Sequence, residues 1–172
     1  GSGNNGGDGA AAARILAGKG WSVRAFFVGN REKLTHDCSE MVRKMESAGI
    51  CAEAGWRGAG ADEFLHGCGV IIDALLGTGL NSAVRGAYAD AIELINSLDV
   101  PVVSADIPSG ISADSGTALG VAVRADATVT FGFPKIGLFV EPGCVYTGKL
   151  TVADIGIVPD KNIFSCCKTF SY

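Results

Sequence analysis

Residues 70–79 read Val-Ile-Ile-Asp-Ala-Leu-Leu-Gly-Thr-Gly, an apolar run broken only by Asp73 and closed by a pair of glycines. Residues 70–76 show no apolar–polar alternation, so they suit a strand covered on both faces, as the strands of parallel sheets are. Moving outward, further strand candidates fall at 22–28, 50–53, 100–105, 127–131 and 150–155. Helical patterns lie between them. Residues 10–19 open with four alanines and stop at Gly20; 37–48 carry Met41, Val42 and Met45 at helical spacing and stop at Gly49. A short helix is expected around 62–66, and 87–97 is amphipathic, with Ile92 and Ile95 on its inner face. Residues 1–9, GSGNNGGDG, are too rich in glycine for a helix or strand interior and are expected to form a loop.

Alternating strands and helices imply an α/β fold with a mostly parallel sheet covered by helices. Right-handed crossovers then bring the C-terminal ends of the strands, with their loops, to one edge, where ligands bind in such sheets. No repeat, linker or low-complexity tract divides residues 1–172, so one domain is expected. A glycine loop of this kind usually follows a strand, yet this sequence starts at the loop, so one sheet edge is expected to be incomplete.

Composition narrows the function. The hydrophobic share of 48% and mean hydropathy of +0.31 exclude a disordered chain. A formal charge of −4 gives no basis for binding nucleic acid or an anionic membrane surface. The apolar stretches are too short to span a bilayer, and the start does not resemble a signal peptide. Cys38, Cys51, Cys68, Cys144, Cys166 and Cys167 show no zinc-like spacing. They are expected to be reduced thiols, and the protein cytoplasmic.

Polar residues punctuate the strand ends. Gly1, Gly3 and Gly6 satisfy GxGxxG, but neither a preceding strand nor an acidic residue after the second strand supports a hydride-transferring reading. Asn4-Asn5-Gly6-Gly7-Asp8-Gly9 is more specific: backbone amides open at a helix start suit an anion, and the side chains add oxygen ligands. A plain turn with Asp8 as N-cap is the alternative. Asp73 in a buried strand needs partners or a metal, or else caps a neighbouring loop. Asp106 and Ser109, in SADIPSG, follow another strand, with Pro108 forcing a turn. Lys135 either lies solvated in its loop or reaches a phosphate or amide of a ligand. His36 and His66 fall in or beside helices and are expected to be exposed, with no role.

Taken in order, GSGNNGGDG with Arg14 following, VIIDALLGTGL, VVSADIPSGI, VRADATVTFGFPKIGL and LTVADIGI resemble the YjeF N-terminal domain family of NAD(P)H-hydrate epimerases. The resemblance runs from Gly1 to about Pro159; the last dozen residues fall outside it. It implies a Rossmann-like three-layer α/β/α sandwich, here without the N-terminal helices and first strand that family members carry. It implies an isomerase that interconverts the R and S forms of hydrated NADH and NADPH, usually a homodimer, working beside a separate or fused NAD(P)H-hydrate dehydratase. By matching position, the substrate would meet Asn4, Asn5, Gly6, Gly7, Asp8, the loop Gly77, Thr78, Gly79, Leu80, Asn81, Ser82 and Ala83, and Asp106, with Lys135 added as a ligand contact. A potassium ion would sit on Asn5, Asp73 and Ser109, and Asp106 would serve as the acid and base of the reaction. A non-enzymatic scaffold of the same family, and an NAD(P)-dependent dehydrogenase, are the rival readings.

Overall fold

A computed structural model describes residues 1–54, 65 and 67–158. Its elements run α1 (Asn4–Gly18), β1 (Ala25–Phe27), α2 (His36–Ser47), β2 (Ala52–Ala54), β3 (Ile71–Asp73), α3 (Ala87–Ser97), β4 (Val102–Ala105), β5 (Ala127–Phe131), α4 (Gly143–Thr147) and β6 (Lys149–Ala153). The strands form two sheets, β1-β2 and β3-β4-β5-β6, and every strand pairing within them is parallel. The α/β class with parallel sheets therefore holds. Residues 87–97 and 127–131 take the expected elements with the expected ends. The helix expected around 62–66 lies outside the described residues, apart from Leu65.

The start of the chain departs from expectation. Residues 4–9 are the first turns of α1, not a loop before it, and the N-cap is Gly3, not Asp8. Glycine costs about 1 kcal/mol against alanine inside a helix, but here close packing requires it. A Cβ on Gly7 would stand 3.1 Å from the Cα of Cys38 in α2, and one on Gly9 would stand 2.6 Å from the Ala74 Cβ. The glycines thus seat α1 against α2 and against the end of β3 together.

β3 is shorter than its apolar run: the strand ends at Asp73, and residues 74–76 already belong to the loop. It is also not covered on both faces. Ile71 and Asp73 are buried, while Ile72 is 37% exposed. Ile72 borders a cavity of about 690 Å³ that lies between β1 and β3 and is also lined by Ala10, Ala13, Val28 and Ile95. β6 begins one residue earlier than expected and stops at Ala153.

Three apolar clusters fix these elements. Ile92, Ile95 and Ala91 of α3 pack with Ile71, Leu75, Val102 and Val123. Ala10 and Ala13 of α1 pack with Cys38, Val42 and Met45 of α2. Ile107, Ile111, Ala122 and Leu138 close the loops beyond β4 and β5. Burying an isoleucine such as Ile92 in full contributes about 1.5–3 kcal/mol. β3 and β4 are therefore held by α3, and α1 packs against the end of β3.

Candidate active site

Asp73 ends β3 with no exposed surface. Its carboxylate accepts four hydrogen bonds. Leu75 N (3.2 Å) and Ser109 Oγ (2.6 Å) donate to Oδ1, while Ser104 Oγ (2.8 Å) and Ser109 N (2.9 Å) donate to Oδ2. Burial pushes the carboxyl above its ordinary range, and these donors oppose the shift. Ser104 sits on β4 and Ser109 on the turn after it, so one buried acid ties the end of β3 to the end of β4.

Asn5, in the first turn of α1, joins the same knot. Its Nδ2 donates to the Leu76 carbonyl at 2.9 Å, and the Ser109 hydroxyl accepts from Leu76 N at 2.9 Å. Asn5 Oδ1 is buried, and among the described residues no donor reaches it. Buried acceptors are ordinarily satisfied, so an orphan marks a place for a ligand or ion. Asn5 and Ser109 thus converge on the Leu76 backbone, and Asp73 joins them through Ser109. Gly77, next in the chain, is close enough to α1 that a Cβ on it would stand 3.0 Å from Asn5 Cβ. Beyond it, Thr78, Gly79, Asn81, Ser82 and Ala83 are exposed, and Leu80 folds back on the core cluster of α3.

Asp106 follows β4 with φ +66°, the only positive φ outside glycine among the described residues. Such a conformation costs about 1–3 kcal/mol and persists only where its surroundings impose it. Here the Asp106 N–H donates to Val129 O at 2.7 Å, and Ile107 N to Ala105 O at 2.8 Å. The side chain then turns to β5. Its Oδ1 accepts from Thr130 Oγ1 (3.2 Å), Phe131 N (3.1 Å) and Lys135 Nζ. No hydrogen bond among the described residues goes to Oδ2.

Lys135 departs from the solvated-loop reading. It is not solvated: besides Asp106, its Nζ donates to Thr130 Oγ1 and to Phe131 O, each at 3.0 Å. An ammonium has three donors, and all three point inward. Asn4 is likewise engaged, its Oδ1 accepting from Thr35 Oγ1 at 2.8 Å. Asp8 lies exposed on α1, and burial of its carboxyl together with the charge of Asp106 raises its pKa. Gly6 and Gly7 serve the packing of α1.

Ser104 and Thr130 are site residues that the sequence reading did not single out. Ser104 is the one hydroxyl in β4, Thr130 is one of two in β5, and both are fully buried, a signal akin to the one that marked Asp73. His36 is exposed at the start of α2 and makes a single contact to Asp37, and His66 lies outside the described residues. Cys38, Cys51, Cys68 and Cys144 are free thiols, while Cys166 and Cys167 lie outside the described residues. No helix among the described residues is long and apolar enough to cross a membrane.

Comparison with known proteins follows the same geography. The chain is 45% identical over 157 residues to the bifunctional NAD(P)H-hydrate repair enzyme Nnr of Thermofilum pendens, covering 90% of this chain but 30% of that protein. It is 43% identical over 154 residues to the NAD(P)H-hydrate epimerase of Limosilactobacillus fermentum, covering 90% of this chain and 71% of that one. The crystal structure of yeast ynu0 (YNL200c) superposes with a TM-score of 0.77 at 24% identity, over 100% of this chain and 71% of that one, and so shares its fold. The profile described as YjeF-related protein N-terminus matches residues 1–137. That span takes in α1, the loop after β3, the turn after β4 and Lys135, and on that match the chain belongs to the YjeF-related protein N-terminus family.

Proposed function

We propose that this chain is an NAD(P)H-hydrate epimerase, interconverting the R and S forms of hydrated NADH and NADPH. The observation that carries the reading is the Asp106 carboxylate, held in a strained backbone conformation, with no partner on Oδ2 among the described residues and with its charge felt by Asp8 of α1. The substrate ring bears a hydroxyl on the carbon next to nitrogen. Its departure leaves an iminium, and water returning to the other face completes the inversion. Both steps move a proton, and a positioned carboxyl is the group for that work. Asn4, Asn5, Gly6, Gly7, Asp8 and the loop 77–83 border the place where the nucleotide would lie, and the α1 N-terminus favours its phosphates. Lys135 holds Asp106 in place.

A potassium ion fits this site. Asn5 Oδ1 is an acceptor without a donor, and the neighbouring groups, Ser109 hydroxyl and Asp73 carboxylate, are the oxygen ligands a hard cation takes. Asp73 already accepts four hydrogen bonds, so its contribution would be charge as much as direct ligation. When bound, the ion supplies positive charge that orients the nucleotide.

The relatives in two enzymes, one bifunctional, support a working partnership with an NAD(P)H-hydrate dehydratase, fused or separate. A homodimer is part of the same reading. Ile136, Phe139, Val145, Val152, Ile155 and Ile157 are exposed apolar side chains, of the kind a second copy would cover.

The test is kinetic. R-form NADPH hydrate is incubated with the protein and an S-specific dehydratase, and the return of reduced-cofactor absorbance is followed. The protein accelerates recovery over the spontaneous rate. Asp106→Asn lowers kcat by about 10²–10⁴-fold with substrate binding retained; near-native turnover in that variant, or no acceleration by the protein itself, refutes the reading.

A further inference from the structure

Thr130 has no exposed surface, so it does not touch a substrate, yet its hydroxyl meets both members of the Asp106–Lys135 pair. It stands next to last on β5, the strand whose Val129 pairs with Ala105 just ahead of Asp106. Asp106 Oδ1 lies 3.2 Å from Thr130 Oγ1, and Lys135 Nζ lies 3.0 Å from the same atom. The direction of both bonds follows from what each group carries. An ammonium can only donate, while a hydroxyl has one proton and two lone pairs. Thr130 therefore accepts from Lys135, and its single proton is left to point at Asp106 Oδ1.

Phe131 N, at 3.1 Å, and Lys135 Nζ donate to that same oxygen. Three donors thus fasten Oδ1, and among the described residues no hydrogen bond goes to Oδ2. A proton on Oδ1 would face these donors head-on, so a proton that the carboxyl takes up or gives is carried on Oδ2. The Asp106 side chain keeps 15% of its surface exposed, which leaves a substrate a way to it.

Thr128 supplies the contrast. It lies two residues earlier on the same face of β5 and is as fully buried. Its hydroxyl donates to the Thr147 carbonyl at 2.7 Å, a bond from strand to backbone that involves no acid or base. Of the two buried hydroxyls on β5, one holds backbone and the other holds the group that moves the proton.

We propose that Thr130 is a positioning residue of the epimerase reaction: anchored by Lys135, its hydroxyl fixes the rotation of the Asp106 carboxyl, so that Oδ2 is the oxygen presented to the substrate. The inference deepens the epimerase reading and rests on it. Without this hydroxyl Oδ1 keeps two donors of three, and one Lys135 hydrogen loses its acceptor. The carboxyl is then free to turn, and Oδ2 is less often in place. Proton transfer slows, while the contacts that hold the nucleotide are unchanged.

The test compares kcat and KM of the wild type, Thr130→Val, Thr130→Ser and Thr128→Val, using R-form NADPH hydrate and the S-specific dehydratase. Each protein is assayed well below its melting midpoint, so that unfolding does not enter the rate. Valine keeps the β-branched shape that suits a strand and removes the hydroxyl. Thr130→Val lowers kcat about 10- to 100-fold, as loss of a hydrogen bond to a charged group does, and leaves KM within about threefold. Thr130→Ser, which keeps the hydroxyl, recovers kcat to within about threefold of wild type. Thr128→Val lowers the melting midpoint and keeps the wild-type kcat. A wild-type kcat in Thr130→Val, or a loss that serine does not restore, overturns the inference while the epimerase reading stands. An equal loss of kcat in Thr128→Val does the same, because the packing of β5 is then the cause. No acceleration by the wild type overturns the epimerase reading and the inference with it.

Discussion

Both oxygens of the Asp73 carboxylate accept a backbone N–H, Leu75 on Oδ1 and Ser109 on Oδ2. Asparagine has the same shape but only one acceptor oxygen. Whichever way its amide turns in Asp73→Asn, one of these N–H groups meets an NH₂ and is left unpaired in the core. That costs about 1–3 kcal/mol, read as a lower urea midpoint at unchanged slope. The pH dependence has a definite sign. Burial raises this carboxyl above its model value of 3.8. The stability tied to it is therefore full below 3.8 and is lost as the pH rises through the folded value. The asparagine variant has no such step, so the wild-type advantage narrows over that window; an advantage that widens there would mean that Asp73 titrates below its ordinary value.

At the scale of elements, the turn from α4 into β6 depends on one glycine. Gly148 has φ +59° and ψ −143°, a region that side chains avoid. A Cβ there would stand 2.3 Å from the Asp126 carbonyl oxygen and 2.4 Å from that of Ala125. Neither carbonyl yields freely, since Asp126 O accepts from Lys149 N at 2.9 Å and so starts the β5–β6 ladder. Gly148→Ala combines about 1–3 kcal/mol of backbone strain with an overpacking cost of similar size. Thermal unfolding at a midpoint within a degree or two of wild type would refute it. The same elements divide what the sequence discloses from what it hides. α3 and β5 are legible because Ile92 and Ile95 keep helical spacing and Thr128 and Thr130 are flanked by apolar neighbours over a short run. The first turns of α1 are not legible, because propensity reads Gly6, Gly7 and Gly9 as loop. Gly7 and Gly9 are there because Cys38 and Ala74, far away in sequence, lie close by, and Gly6 because it abuts the Gly1 carbonyl. Asp73, Asp106 and Ser109 stand out as polar residues at apolar strand ends. The inward aim of Lys135 does not, because it depends on Asp106 and Thr130 lying side by side across the β4–β5 pair.

Across the whole molecule, the polar knot at the strand ends and an apolar cavity meet only around Gly6 and Leu75. The cavity of about 690 Å³ lies between β1 and β3, and its lining of Ala10, Ala13, Val28, Ile71, Ile72 and Ile95 is apolar. β1 pairs only with β2 and β3 only with β4 among the described residues, so the edges that border the cavity carry no ladder partner there. An apolar space with open access takes up an apolar probe. The native protein therefore binds anilinonaphthalene sulfonate saturably at neutral pH. Ile72 is the side chain to change, since it is 37% exposed and lines the space without belonging to the α3 core cluster. Threonine keeps the β-branched shape that suits a strand while removing apolar surface worth about 1.5 kcal/mol, so Ile72→Thr weakens the dye by roughly tenfold. Epimerase turnover stays at the wild-type level, because neighbouring side chains along β3 point to opposite faces, Asp73 into the polar knot and Ile72 toward the cavity. Equal dye affinity in the two proteins would place the probe elsewhere, and a parallel loss of turnover would mean that cavity and catalytic site are coupled through β3.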